Sequence, residues 1–207
     1  MQYEGGMSRY TGPRLRKIRR LGIYLPGLTR KPLKTRTGTP GEHAHSRTKI
    51  SDYGIRLREK QRLRVNYGLG ERQLKRTFER AKKMKGDTGV NLLMLIESRL
   101  DNVVFRCNFA PTIPSARQLV NHGHVLVNDK KVDVASYRVK PGDNITLREK
   151  AKKSLSVHEG QKEFLRLAPS YLEVEKEEVR GVVVGHPSPD DVMLEIDVNL
   201  IIEFYSH

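Results

Sequence analysis

The sequence has little cysteine: Cys107 is the single one among 207 residues. An internal disulfide needs two and a cysteine-built zinc site needs several, so both are excluded. A chain of this kind suits a reducing compartment. Tryptophan is absent, and aromatic residues make up 6% of the chain, which points to modest cores. No apolar run approaches the roughly 20 residues of a membrane span. The opening MQYEGGMSRYTGPRLRKIRR lacks the apolar segment of a secretory signal. Met7 offers a second start, which would make residues 1–6 dispensable. Neither GxxxxGK[ST] nor GxGxxG occurs, so the two common phosphate-cradling loops are missing. Acidic residues are few as well: 24 Asp and Glu face 39 Lys and Arg, a net charge of +15. Such a surplus sets partners rather than fold, and favours polyanions.

The charge is unevenly placed. Residues 1–85 carry 24 Lys and Arg against 6 Asp and Glu, a net +18. Residues 86–98 are net −2, and residues 99–153 carry 11 against 5, a net +6. Residues 154–207 carry 4 against 11, a net −7. The first and middle parts are therefore expected to meet the polyanion. The acidic end faces solvent or a basic neighbour.

Residues 1–46 contain Gly12-Pro13, Pro26-Gly27, Pro32 and Pro40-Gly41 among many cations, and read as an irregular arm without a core of its own. SDYGIRLREKQRLRVN (51–66) consists of good helix formers after a Ser51-Asp52 start, with cations at every second position. Those cations wrap the helix, which suits either a polyanion approached from several sides or an ordinary solvated helix. ERQLKRTFERAKKMK (71–85) is a clearer amphipathic helix: Leu74, Phe78 and Ala81 make its stripe, while Arg72, Lys75, Arg76, Lys82 and Lys83 lie opposite. One further helix is expected from about Thr88 to Arg106, with Arg99, Asn102 and Arg106 aligned on one side. ARQLVNHGHVLVND (116–129) follows as a short helix with Ser115 as its expected N-cap, then a strand. Asn128-Asp129 tolerate the left-handed backbone that a two-residue hairpin needs. NITLR and EVRGVVVG read as further strands. For the final DVMLEIDVNLIIEFYSH, strand and helix both remain open.

Catalytic and metal readings carry little. The pairs His43/His45 and His122/His124 have a spacing that can clamp a metal on a strand, but no Cys or matched acidic partner stands near, and polar loop or RNA-facing roles suit them better. Gly68 to Glu71 could offer helix amides to a phosphate, though such a pair of glycines is ordinarily a turn. Cys107 follows an apolar helix and reads as core. Ser98-Arg99-Leu100-Asp101 is similar to the catalytic aspartate segment of pseudouridine synthases, but the chain has no room for their catalytic domain.

RLDNVVFRCNFAPTIPSARQLVNHGHVLVNDKKVDVASYRVKPGDNITLREK (99–150) resembles the small RNA-binding module named after ribosomal protein S-four. SDYGIRLREKQRLRVNYGLGERQ (51–73), KGDTGVNLL (85–93), IIEFYSH and the arm segment SRYTGPRLRKIRRLG (8–22) resemble the bacterial or organellar ribosomal protein S-four family itself, over nearly the whole chain from Ser8. Where many members carry Gly, this chain has Asn108 and Asp129, both tolerant of positive φ. The zinc-binding cysteines of some members are absent, and PGEHAHS (40–46) departs from a loop that usually ends in Gln-His-Gly.

The resemblance implies an α+β fold: a basic arm (1–46), a helical rRNA-binding domain (47–96), an inserted helix-plus-sheet RNA-binding module (97–157), and a C-terminal segment (158–207) packing back on the helical domain. It implies a structural, non-catalytic constituent of the small ribosomal subunit, without cofactor or metal. The protein would bind small-subunit ribosomal RNA as a primary binder and seed assembly. It would lie near where messenger RNA enters, touch ribosomal protein S-five and affect accuracy. The expected setting is the ribosome, in a cytoplasm or an organelle, with no membrane contact and no free homo-oligomer.

The residues expected to meet RNA begin with Arg14, Lys17, Arg19 and Arg20 in the arm. In the helical domain they are Arg56, Lys60, Arg62, Arg64, Tyr67, Arg72 and Arg76. In the module they are Arg99, Arg106, Arg117, Gln118, Asn121 and His122 on helices, with Lys130, Lys131, Tyr137, Arg138 and Lys140 on the sheet side. Arg99, Arg117, Asn121, Lys130 and Lys131 are expected to form one concave polar face, in which Arg forks suit phosphates and amides suit 2′-hydroxyls and base edges. Two other classes have less support: an RNA-modifying enzyme, whose catalytic domain is missing, and a general basic chaperone or DNA-compacting protein, at odds with the folded motifs.

Overall fold

The computed structural model describes residues 10, 12–31, 38–41, 49–162 and 168–206. The His43/His45 pair, the Met7 start and the PGEHAHS loop, apart from Pro40 and Gly41, lie outside them.

Nine α-helices and five strands are present among the described residues. In chain order, α1 is Arg14–Leu21, α2 Asp52–Asn66, α3 Glu71–Lys83, α4 Thr88–Glu97, α5 Leu100–Arg106 and α6 Ile113–Asn121. The strands β1 (Val125–Val127), β2 (Lys130–Lys131) and β3 (Asn144–Leu147) follow, then α7 (Glu149–Lys152) and α8 (Leu155–Lys162). The chain ends with β4 (Leu172–Glu175), β5 (Arg180–Val183) and α9 (Val198–Ser206).

The arm differs from its expected irregular form. Ile18, Leu21, Leu25 and Leu28 are all buried, and α1 is closed by Gly22 at φ 67°. Ile18 and Leu21 share the inner face of α1, while Leu25 and Leu28 follow in the turn after it, an apolar set that the surrounding cations and the Pro26-Gly27 pair disguise. Gly27 is where the arm meets the rest of the chain. Its N–H donates to Asn66 Oδ1 at 2.9 Å, and its carbonyl accepts from the Ile113 N–H at 2.8 Å. A Cβ there would lie 2.4 Å from Ile113 Cδ1 and 3.0 Å from the Asn66 carbonyl oxygen, so any side chain at this position would force its neighbours to shift.

In the helical domain, the Ser51 side chain caps α2 by accepting from the Gly54 N–H. α9 packs along α2, with Phe78 stacked on Tyr205 at 4.9 Å between ring centroids. The open choice for the C-terminal stretch is thereby decided: residues 198–206 are helix, and the alternating Leu194 and Ile196 lie in the irregular segment before it. The expected single helix over 88–106 is two. Arg99 is extended (φ −72°, ψ 139°) and bridges to Arg138. The segment 135–139 takes the freed backbone groups: the Leu100 N–H reaches the Tyr137 carbonyl at 2.8 Å and the Val139 N–H reaches Ser98 at 3.0 Å.

α6 is capped by Thr112, whose hydroxyl accepts from the Ser115 N–H, one turn earlier than the expected Ser115 cap. Asn128 and Asp129 have φ of 49° and 62°, and Asn108 has φ of 59°, so the departures from glycine fall on left-handed backbone. The antiparallel sheet runs β2-β1-β3-β5-β4. The segment after 157 is thus divided: β5 joins the module's sheet through β3, while α9 packs on the helical domain. β2 brings Lys130 and Lys131 to one edge of the sheet, and β4 brings Glu173 and Glu175 to the other.

Cys107 is 1% exposed, and burial pushes its thiol up to about 12 against the opposing charge of Arg106. Thiolate is the reactive form. At neutral pH the folded protein should therefore resist alkylation, and added denaturant should open a fast reaction; a thiol titration against denaturant checks this. Rapid labelling of the native chain would contradict the described packing.

Candidate nucleic-acid interface

Two outward faces carry cations with few acidic partners. The first is the solvent side of α3. Leu74, Phe78 and Ala81 turn inward, which leaves Arg72, Lys75, Arg76, Arg80, Lys82 and Lys83 exposed. Gln73 fastens the start of the helix by accepting from the Gly70 N–H at 3.3 Å. The second face lies on the module. Gln118, Asn121 and His122 are exposed on α6, with Lys130 and Lys131 on β2 and Tyr137 and Lys140 in the loop that follows.

Arg138 on the module lies within electrostatic reach of Arg80 on α3 and of Arg99. Burial lowers its guanidinium below the usual arginine range, and the charges of Arg80 and Arg99 lower it further. Like charges crowd there in the isolated protein, and an anion placed among them relieves the repulsion. The acidic edge at β4 stands at the opposite end of the sheet from β2, so the module presents one preferred side to a polyanion.

Several residues expected on these faces are instead holding the protein together. Asp101 is 1% exposed and receives two guanidinium groups. Arg99 Nε and Nη2 approach its oxygens at 3.0 and 2.8 Å, and Arg117 Nε and Nη2 at 2.9 and 2.6 Å. Arg117 also donates to the carbonyls of Gly68 at 2.6 Å and Tyr67 at 3.0 Å, clamping the module to the corner between α2 and α3. The expected concave face therefore loses Arg99, which is interior, and keeps Arg117 only as a partly covered clamp. Asp101, in the segment similar to pseudouridine synthases, is taken up by these ion pairs.

Glu97 forms a second buried centre, accepting from the Tyr67 and Tyr171 hydroxyls and from Asn102 Nδ2 at 2.6 Å. Burial and the Glu97 charge push the Tyr67 hydroxyl well above the usual tyrosine range, so Tyr67 is a neutral donor. Arg106 sits inside as well, its Nε 3.7 Å from Glu97 and its Nη2 donating to the Asp191 carbonyl. Tyr67 and Arg106 are thus corrected from surface to core. The alignment of Arg99, Asn102 and Arg106 was legible; its inward direction was not.

In α2, Lys60 is buried, bonded to Glu71 at 2.8 Å and lying over the Phe204 ring at 4.1 Å. Arg56 pairs with Glu203 at 2.7 Å, and Arg62 donates to the Leu21 carbonyl at 3.1 Å and to Glu59. Arg64 donates to Gln61 at 2.8 Å. Arg56, Lys60 and Arg62 of this helix thus reach α9, α3 and α1, and Arg64 lies 3.9 Å from Glu71 of α3, rather than all facing one polyanion. In the arm, Arg14 donates to the Leu28 carbonyl at 3.1 Å and Arg19 to the Gly38 carbonyl at 2.9 Å. Lys17 covers the Tyr10 ring at 3.4 Å, while Arg20 is exposed. Exposed cations outside the expected set include Arg80, Lys85, Arg148, Lys150 and Lys153. The period of α3 itself would have found Arg80. No group of three or more His, Cys, Asp and Glu that could hold a metal occurs among the described residues.

Comparison with known proteins agrees with this geometry. A family model described as the ribosomal protein S4/S9 N-terminal domain matches residues 9–97, and the S4 domain matches residues 98–145. The boundary falls at Ser98, where α4 gives way to α5. The small ribosomal subunit protein uS4 of Prochlorococcus marinus is 55% identical over 202 residues, covering 97% of this chain and 98% of the relative. The protein of the same name from a Synechococcus species is 55% identical with the same coverage. The uS4c protein of Cyanophora paradoxa is 54% identical, covering 97% of this chain and 100% of the relative. The chain belongs to the S4 family of small-subunit ribosomal proteins.

Proposed function

We propose that the protein is a primary binder of small-subunit ribosomal RNA that seeds assembly of its region of the particle. In this reading it lies near the site where messenger RNA enters, touches ribosomal protein S-five and contributes to decoding accuracy. Its setting is the ribosome, in a bacterial cytoplasm or an organelle, and its role is structural rather than catalytic. The observation that carries the RNA-binding reading is the pair of exposed cationic surfaces, the outward row on α3 and the Lys130 and Lys131 edge of the module's sheet. A folded RNA offers phosphates at many angles, and two cationic faces held at a set angle select for its shape.

The test is binding of the full chain to small-subunit ribosomal RNA across a salt series, with excess transfer RNA and duplex DNA as competitors. Binding that survives about 0.3 M salt and the competitors is expected, since a purely electrostatic complex loses orders of magnitude by then. Collapse with salt and equal capture by any competitor would overturn the assignment. Assembly is read separately: omission of the protein from a reconstitution should leave its RNA region unprotected from chemical probes. The finer partners are read by cross-linking the assembled subunit to messenger RNA and to ribosomal protein S-five.

A further inference from the structure

A cavity of about 300 Å³ lies between α6 and the α7 to α8 turn. Gln118 and His122 line it from α6, His124 from the start of β1, and Lys150 and Ser154 from the far side, with Leu119 as an apolar wall. The Ser154 hydroxyl oxygen is buried and has no hydrogen-bond partner among the described residues. A buried hydroxyl in that state is costly, and a ligand atom would satisfy it. The imidazole rings of His122 and His124 stand 6.1 Å apart and are tilted by 60°, which offers two planar surfaces. Arg148, Lys150 and Lys153 are exposed beside the opening, and the one acid among them, Glu149, is held by Lys152 at 2.7 Å.

We propose that this cavity receives one unstacked nucleotide of the bound RNA. The inference rests on the RNA-binding reading above and goes beyond it by naming a site and its occupant. The volume stands at the lower end of the roughly 300–1,000 Å³ range of ligand pockets, room for one base with its sugar but not for a stacked pair. The Gln118 amide both donates and accepts, and the serine hydroxyl does the same, which matches the mixed edge of a base. Imidazole faces stack on bases that have left the helix, and Lys150 provides a point charge for the adjoining phosphate. A metal ion fits less well, because no third His, Cys, Asp or Glu joins the two imidazoles among the described residues. Gln118 and His122 belong both to the cavity lining and to the exposed polar side of α6, so the cavity adjoins the polar face already described.

The experiment compares three full-length proteins on small-subunit ribosomal RNA: the natural chain, the double variant Gln118→Ala with His124→Ala, and Ser154→Leu, which fills the cavity from the α7 side. Failure of the natural chain to bind above competitor level would remove the RNA-binding reading and this site with it. If the natural chain binds, both variants should lose about ten-fold in affinity, the scale of one stacked base. Their salt slope should stay unchanged because every cation that meets phosphate is still present. Ultraviolet cross-linking followed by nuclease and mass spectrometry should find a single nucleotide on the peptide that spans Gln118 to His124, and lose it in Ser154→Leu. The double variant removes only side chains that reach the surface, so it remains a test if Ser154→Leu melts early. Natural affinity in the double variant with an undiminished cross-link would overturn the proposal. So would labelling by free mononucleotides without labelling by bound RNA.

Discussion

Replacing Asp101 by Asn should lower the melting temperature by about 6–20 °C. Asp101 is 1% exposed and neutralises Arg99 and Arg117, whose side chains are 10% and 23% exposed. The amide keeps the shape and part of the hydrogen bonding, but leaves two guanidinium groups facing each other without an anion. Removing one partner of a buried ion pair costs about 3–5 kcal/mol. For a chain of this size, each kcal/mol corresponds to roughly 2–4 °C. The triple replacement of Asp101 by Leu and of both Arg99 and Arg117 by Met should recover part of the loss, because apolar side chains of similar volume remove both unpaired charges. Thermal denaturation followed by circular dichroism decides the matter. A single variant that melts within a degree or two of the natural chain would show that the clamp does not hold the module to the helical domain. Affinity for RNA should fall in parallel with folding, which separates this change from a surface one.

The opposite signature is expected on α3. Changing Arg72, Lys75, Arg76 and Arg80 together to Gln should leave the melting temperature within a few degrees, since these side chains are exposed and Gln is a good helix former. Binding to small-subunit ribosomal RNA should fall by about two to three orders of magnitude near 0.1 M salt. The slope of log affinity against log salt should become shallower by about three, at roughly 0.7–0.9 for each phosphate that is no longer neutralised. A four-fold variant with the natural slope would mean that this face does not meet phosphate.

What the sequence made legible follows from how local each signal is. The Leu74, Phe78 and Ala81 stripe sits within one helix, so its period alone places the cationic side of α3 outward. The positive φ at Asn108 and Asp129 follows from side chains that tolerate it. The arm was harder, because Ile18, Leu21, Leu25 and Leu28 bury themselves in a segment that is fastened to residues far along the chain, among them Asn66 and Ile113. Arg117 illustrates the same limit. Its spacing on α6 puts it beside Gln118 and Asn121, yet a carboxylate 16 residues back and two carbonyls about 50 back draw it inward. An arginine at a surface position and one in a clamp look alike until the third dimension brings Asp101 to it. The split at Ser98 and Arg99 depended on the equally distant segment 135–139.

The return of the chain has a consequence for its own manufacture. β5 completes a sheet begun at β1, and α9, which leaves the synthesising ribosome after every other described element, lies along α2. At about 5–20 residues per second, on the order of ten seconds pass between the emergence of α2 and that of α9. For that interval the nascent chain displays its cations and an uncovered flank around Phe78 and Lys60, which α9 later covers. A message cut short ahead of the Val198 codon yields a polypeptide that still attracts nucleic acid yet never closes its helical platform. Proteases should clear such a fragment faster than the finished protein, which ties inspection of the product to its last helix.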